Sequence, residues 1–251
     1  MMRRLIIPGL LGAACLLVTA GSAQAQVDHV LSVNAGGWVV KGLDGRELDR
    51  SGDGLVTGDV LANNVLGGEF PLLYDMGDFN GGTFGADYLV SIGSFLEAGA
   101  GIAFYQRTVA TVNADLVDDD GTEIDMDAKL RVLPITFTGR FFPITRDAPV
   151  QPYVGAGLGV LRWRYSEVGE FVDFDTFEVF QDSFAGDGTA VGPVVLAGVR
   201  FPAGNSLLIG GEYRFHGGKA EVDPDDPNQG FFGDEIDLAS HVFQVTVGFR
   251  F

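Results

Sequence analysis

Most of the residues in this chain that could do chemistry are carboxylates. The stretch DRSGDG, residues 49–54, sets Asp49, Ser51 and Asp53 at alternate positions ahead of Gly54. That is the spacing of the first half of a calcium loop, with three oxygen ligands and a glycine at the sharp turn. The second half does not follow, because the twelfth position is Val60 and Asp59 falls one place early. A Ca2+ ion in this loop is therefore weighed against an Asp/Gly turn that caps itself with its own side chains. No other cofactor is expected. The three histidines, His29, His216 and His241, accompany neither a GxSxG element nor an HExxH element. A net charge of −18 opposes a nucleic-acid partner.

A second set of charges has a different setting. Asp87, Glu97 and Glu212, with Arg107, Arg140, Arg214 and Arg250, each fall in stretches where every other residue is apolar. On a strand, such spacing puts the charges on the face opposite the apolar one. If the apolar faces meet hydrocarbon, the charged faces meet one another across a lumen. An eight-stranded barrel is just wide enough for side chains to fill. The charges should then pair, because an isolated buried charge is costly. A salt-bridged plug is the expectation, with a narrow gated solute path as the alternative.

Eight segments carry the alternation: 29–41, 82–93, 95–109, 127–142, 150–165, 189–201, 206–218 and the terminal HVFQVTVGFRF, 241–251. In the last, Phe243, Val245, Val247, Phe249 and Phe251 stand against Gln244, Thr246, Gly248 and Arg250. Two segments slip. Leu130 and Val132 fall out of phase with Leu133, Ile135 and Phe137, which predicts a bulge near Pro134. The run from Arg162 to Tyr165 blurs the outer end of the fifth segment. An even number of antiparallel strands closes without an edge, as a water-free bilayer requires. The fold class expected is all-β, a closed eight-stranded antiparallel transmembrane β-barrel.

The connections agree with this reading. Short ones at 93–94, 143–149 and 202–205 alternate with long ones at about 42–81, 110–126, 166–188 and 219–237. Barrels with short periplasmic turns and long extracellular loops show this rhythm. The long connections hold 28 of the 34 acidic residues against only Arg46, Arg50 and Lys219. An acidic crown of solvated loops follows. A sharper reading has its carboxylates bind divalent cations, or bridge through them to anionic surface glycolipid.

The N-terminus reads as a targeting segment. MMRR, the apolar LIIPGLLGAACLLVTA and Ala23-Gln24-Ala25 predict a signal peptide over 1–25, cleaved to leave a barrel domain over 26–251. Cys15 falls inside the apolar run with Gly12 where a lipoprotein signal wants a branched aliphatic. The mature chain is then free of cysteine, which excludes disulfide stabilisation.

The stretches LEAGAGIAFYQR (96–107), QPYVGAGLGV (151–160), GGEYRF (210–215) and VTVGFRF (245–251) resemble the small eight-stranded outer-membrane β-barrel proteins of Gram-negative bacteria. That group includes the outer-membrane protein A barrel and the outer-membrane protein W type. The resemblance implies residence in the outer membrane among lipid and lipopolysaccharide. It also implies delivery by periplasmic chaperones to a barrel-assembly machinery, with the strand ending in Phe251 as the recognised signal. The chain is expected to depart from the protein A type in lacking a peptidoglycan-binding domain after the barrel.

A structural or surface-interaction role is the first expectation, and a narrow channel for small or apolar solutes is the alternative. A lipid-modifying enzyme using His216 ranks lower, since no serine partner is visible and a barrel histidine more often fills a hydrogen bond. The chain is expected not to be an enzyme. A soluble calycin-like carrier would invert the pattern, with apolar residues lining its interior.

Overall fold

The computed structural model describes residues 27–48, 58–66, 71–173, 176–222, 231 and 233–251. The signal segment and the Asp49, Ser51 and Asp53 calcium loop lie outside the described residues.

Eight strands close into an antiparallel barrel, as the alternation predicts. They are β1 (His29–Val40), β2 (Gly81–Ile92), β3 (Leu96–Val117), β4 (Glu123–Phe141), β5 (Gln151–Val172), β6 (Val179–Ala203), β7 (Leu207–His216) and β10 (Ser240–Arg250). Between the last two, β8 (Lys219–Glu221) and β9 (Glu235–Asp237) form a separate two-stranded sheet. The seam is made by β10, which pairs with β7 on one side and β1 on the other. There the backbones of His29 and Phe251 exchange hydrogen bonds of 3.0 and 2.9 Å. Every strand of the barrel thus has two neighbours, so the barrel presents no open edge. Two of the short connections turn on glycines with positive φ, Gly93 at +66° and Gly204 at +78°.

Side chains on the outer face form an apolar belt. Leu31, Phe84, Ile102, Phe137, Leu158, Val191, Ile209 and Val245 are all exposed, and Val191 is 65% so. Such a continuous apolar surface is stable against lipid tails and not against water. On β4 and β5 the belt runs from Phe141 and Val154 up to Leu133 and Val160. On β10 it runs from Phe249 to Phe243.

Three expectations are corrected. No bulge occurs at Pro134: β4 keeps one register with β5 from Met126 to Phe141, and its inward positions alternate without a break. Leu130 and Val132 point inward because the outer half of the lumen is itself apolar, as described below. The phase of β5 also persists, with Leu161, Trp163 and Tyr165 buried and Arg162 and Arg164 exposed. The irregularity in this sheet lies farther out, where the β3–β4 register shifts between Val112 and Val117.

The third correction concerns two of the long connections. Residues 110–126 and 166–188 are mostly strand, so β3–β4 and β5–β6 continue as hairpins far beyond the belt. β3 to β6 have 22, 19, 22 and 25 residues, against 12, 12, 10 and 11 for β1, β2, β7 and β10. The barrel therefore has one tall wall and one low one.

Candidate functional site

The lumen is divided into two zones along the barrel axis. At the end with the short turns it is ionic. Glu97 on β3 receives the Arg200 guanidinium through both oxygens, at 2.9 and 2.6 Å. Arg200 also donates to Gln151 at 2.8 Å and lies 4.5 Å over the Phe142 ring. Arg146, from the turn after β4, donates to the Gly93 carbonyl at 2.7 Å and to Ser91, and stands 3.5 Å from Glu97.

A second cluster lies deeper. Arg214 contacts Asp87 at 3.2 Å and Glu212 at 2.7 Å, while Arg140 contacts Glu212 at 2.9 Å and Asp87 at 3.7 Å. The remaining carboxylate lone pairs are met by Asn34 on Asp87 at 3.0 Å, and by Tyr153 and Gln244 on Glu212 at 3.0 and 2.8 Å. All four charged side chains are buried. Multiple partners per ion are what make such burial tolerable. A cavity of about 10 Å³ beside Arg140, Tyr153, Arg200 and Thr246 has room for about one water molecule.

Of the seven lumen residues expected from sequence, Asp87, Arg140, Glu212 and Arg214 meet in the deeper cluster and Glu97 joins the rim cluster. Arg250 is half-buried near the rim, and its Nε and Nη2 have no hydrogen-bond partner among the described residues. Arg107 is corrected: it is exposed above the belt, donating to the Asp78 carbonyl at 2.9 Å. It has the inward phase of β3, directly opposite Leu130 and between the buried Tyr105 and Val109, yet its side chain is exposed and reaches the Asp78 carbonyl. Arg146 and Arg200 were missed. The alternation of β6 places Arg200 opposite Val199 and Phe201 and would have identified it, whereas Arg146 sits in a turn without periodicity.

Toward the other end, the lumen is apolar. Trp38 is sandwiched between Tyr105 at 4.9 Å and His216 at 5.3 Å, both rings within 17° of parallel. Leu130, Val132, Leu161 and Trp163 wall this stack. Above it, the described parts of the connection between β1 and β2 fold over the mouth. Leu61 from the helix α1 (Val60–Leu66) and Phe79 are fully buried. Tyr105 donates to the Phe79 carbonyl, and Tyr74 donates to the Leu61 carbonyl at 2.8 Å.

Polar contacts fasten this cap. Arg46 pairs with Asp59 and donates to the Asp237 carbonyl at 3.1 Å. Asn64 donates to Glu167 at 2.5 Å, and Tyr165 donates to the same oxygen at 2.8 Å. Burial pushes the carboxyls of Asp59 and Glu167 up from the ordinary carboxylate range, against the opposing pull of those partners. Lys219 bridges Glu47 at 2.6 Å and Glu235 at 2.7 Å, and both contacts hold its ammonium above the ordinary lysine range.

His216 lies beneath this cap, 2% exposed. Ser240 stands directly opposite it across the β7–β10 pair, yet the His216 Nδ1 and the Ser240 Oγ make no hydrogen bond to each other. The terminal Phe243, Val245, Val247, Phe249 and Phe251 all face outward and are exposed. A recess of about 690 Å³ opens on the same lipid-facing surface elsewhere, over Ala98, Gly139 and Ala156.

Residues 11–251 match a family model described as the outer membrane protein beta-barrel domain. No curated protein matches in sequence. Among solved structures, the chain is similar to the outer membrane protein OprG of Pseudomonas aeruginosa, at 11% identity over 88% of this chain and 95% of that one, with a TM-score of 0.49. It is also similar to Ail, the attachment invasion locus protein of Yersinia pestis, solved with the heparin analogue sucrose octasulfate. That likeness has 15% identity over 90% and 99% of the two chains, with a TM-score of 0.41. The Escherichia coli outer membrane protein W matches at 17% identity over 88% and 97%, with a TM-score of 0.38.

Proposed function

The chain belongs to the outer membrane protein beta-barrel domain family, and on that premise we propose that it is a closed, non-conducting barrel of the outer membrane with a structural and surface-interaction role. One observation carries the reading: the lumen is filled twice over, by paired ions at one end and by stacked rings under a cap at the other. An ion or solute would have to displace both layers to cross. The pairing of Asp87, Glu212, Arg140 and Arg214 opposes this, since separating buried ions leaves each uncompensated. Catalysis is not part of the proposal. His216 is screened from lipid and solvent alike, and its ring stacks on Trp38. The acidic outer connections and tall hairpins supply the surface that meets other molecules.

Conductance of the refolded full chain in planar bilayers tests the proposal. Membranes holding the protein should show no unitary current steps and no solute flux above that of empty membranes. Steady unitary currents abolished by cap-tightening conditions would overturn the closed-barrel reading in favour of a gated channel.

A further inference from the structure

Lysine and arginine residues are sorted by the barrel wall. Among the described residues, Arg140, Arg146, Arg200, Arg214 and Arg250 belong to the lumen and its rim. Lys41, Arg46 and Lys219 are held in the cap by acidic partners, and Arg107 by a carbonyl. The wall turns only four outward: Lys129 and Arg131 on β4, and Arg162 and Arg164 on β5. All four are exposed, and none forms an ion pair among the described residues.

These four form one patch. Arg131 lies directly opposite Arg164 in the β4–β5 register, Leu133 is opposite Arg162, and Lys129 is opposite Ser166. Directly opposed side chains on paired strands are about 5 Å apart at Cβ, and like charges placed so repel. On the flanking strands, Gln106 faces Arg131 from β3, while Thr189 faces Arg162 and Asp187 faces Arg164 from β6. Asp187 is thus the one acid bordering the patch in these rows, against four cations.

The height of the patch identifies what it meets. Below it lies the row of Ile102, Ile135, Val160 and Val191, which is lipid-facing. Above it the outward positions carry Asp127 opposite the exposed Val168, and beyond them Asp125 and Glu170. The cations occupy the one level at which the belt ends and headgroups begin. They point sideways along the membrane plane, toward a neighbouring lipid and away from the lumen.

We propose that Lys129, Arg131, Arg162 and Arg164 bind the phosphate groups of an outer-leaflet glycolipid. Arginine forks match phosphate oxygens, and an anion between Arg131 and Arg164 relieves their mutual repulsion. The hydroxyls of Ser166 and Thr189 lie within the same rows and suit sugar or phosphate oxygens. The inference rests on the membrane orientation of the barrel and not on whether its lumen conducts, so its failure leaves the closed-barrel proposal standing.

The test uses the full refolded chain in phosphatidylcholine vesicles, with thermal unfolding followed by heat-modifiable gel migration. Doping with bisphosphorylated lipid A should raise the midpoint, whereas lipid A stripped of its phosphates should not. The variant K129Q/R131Q/R162Q/R164Q should need about tenfold more lipid A for the same rise, by loss of several charge-assisted contacts. Lys219→Gln, which leaves the patch intact, should keep the wild-type lipid A response. Should the fourfold variant fail to insert, Arg131→Gln and Arg164→Gln singly carry the test, each weakening the response about threefold. An unchanged response in these variants would overturn the site. An equal rise with phosphatidylglycerol, or with soluble pyrophosphate alone, would overturn the glycolipid as its occupant.

Discussion

Glu97 and Arg200, separated by 103 positions in the chain, meet across the interior in a two-point contact of 2.9 and 2.6 Å. Neither is left with bulk water, since both are buried. Replacing Glu97 by Ala should cost about 3–5 kcal/mol, because Arg200 remains buried without its counter-ion. Replacing both with Leu or Met of matching volume should recover most of that loss. Urea unfolding of the refolded barrel in lipid checks both; a loss in the paired variant equal to the sum of the Glu97 and Arg200 single losses would show that the contact is not a coupled pair.

Trp38 holds the ring stack together from β1. Trp38→Ala should destabilise the barrel by about 3–5 kcal/mol through the cavity it leaves between Tyr105 and His216. Trp38→Phe should cost markedly less, since it keeps a ring between the two neighbours. Near-ultraviolet circular dichroism with denaturant titration reads both effects.

Cap stability should depend on pH with a definite sign. Asp59 and Glu167 have carboxyl pKa values raised by burial, so the folded cap binds their protons more tightly than the unfolded chain does. Stability is therefore gained as pH falls through the folded pKa toward the ordinary carboxylate range, and lost as pH rises through the same window. Hydrogen exchange of the α1 amides, corrected for intrinsic rates, should show greater protection at about pH 5 than at about pH 7.5. Glu167→Gln keeps an oxygen for Asn64 and Tyr165 and should flatten that dependence. Protection that instead rises with pH would contradict the assignment.

Phe251 should separate delivery from stability. Its backbone closes the seam with His29, and its ring faces outward beside the His29 ring at 5.8 Å. Phe251→Gln preserves the backbone bonds. It should leave refolding into vesicles within about 1 kcal/mol of wild type, yet lower the amount assembled in cells. Equal losses in both assays would assign the residue to stability alone.

The belt-spanning parts of the fold were legible because lipid on one side and packed side chains on the other impose strict alternation. Phe243 to Phe251 show it plainly. Beyond the lipid that constraint lapses. In 110–126 and 166–188 Asp and Glu fall on both faces, so the strands leave no period to find. Leu130 and Val132 misled for another reason, as a greasy residue facing an apolar lumen has the same letter as one facing lipid. Glu97, Arg140 and Glu212 were recognisable because a charge amid apolar neighbours has only the interior to occupy. The cap was not legible, since Leu61, Tyr74 and Phe79 find their partners through tertiary contacts alone.

The unequal strand lengths set how the molecule is met from outside the cell. From Arg162 to Val172, β5 rises ten residues past the lipid boundary, about 33 Å along the strand and about 25 Å along the membrane normal at ordinary barrel tilt. The low wall of β1, β2, β7 and β10 ends near that boundary, so the silhouette is a mast on one flank of a plugged disc. Among the described residues, the tips of these two hairpins stand farthest from the lipid, with the closed barrel at their foot.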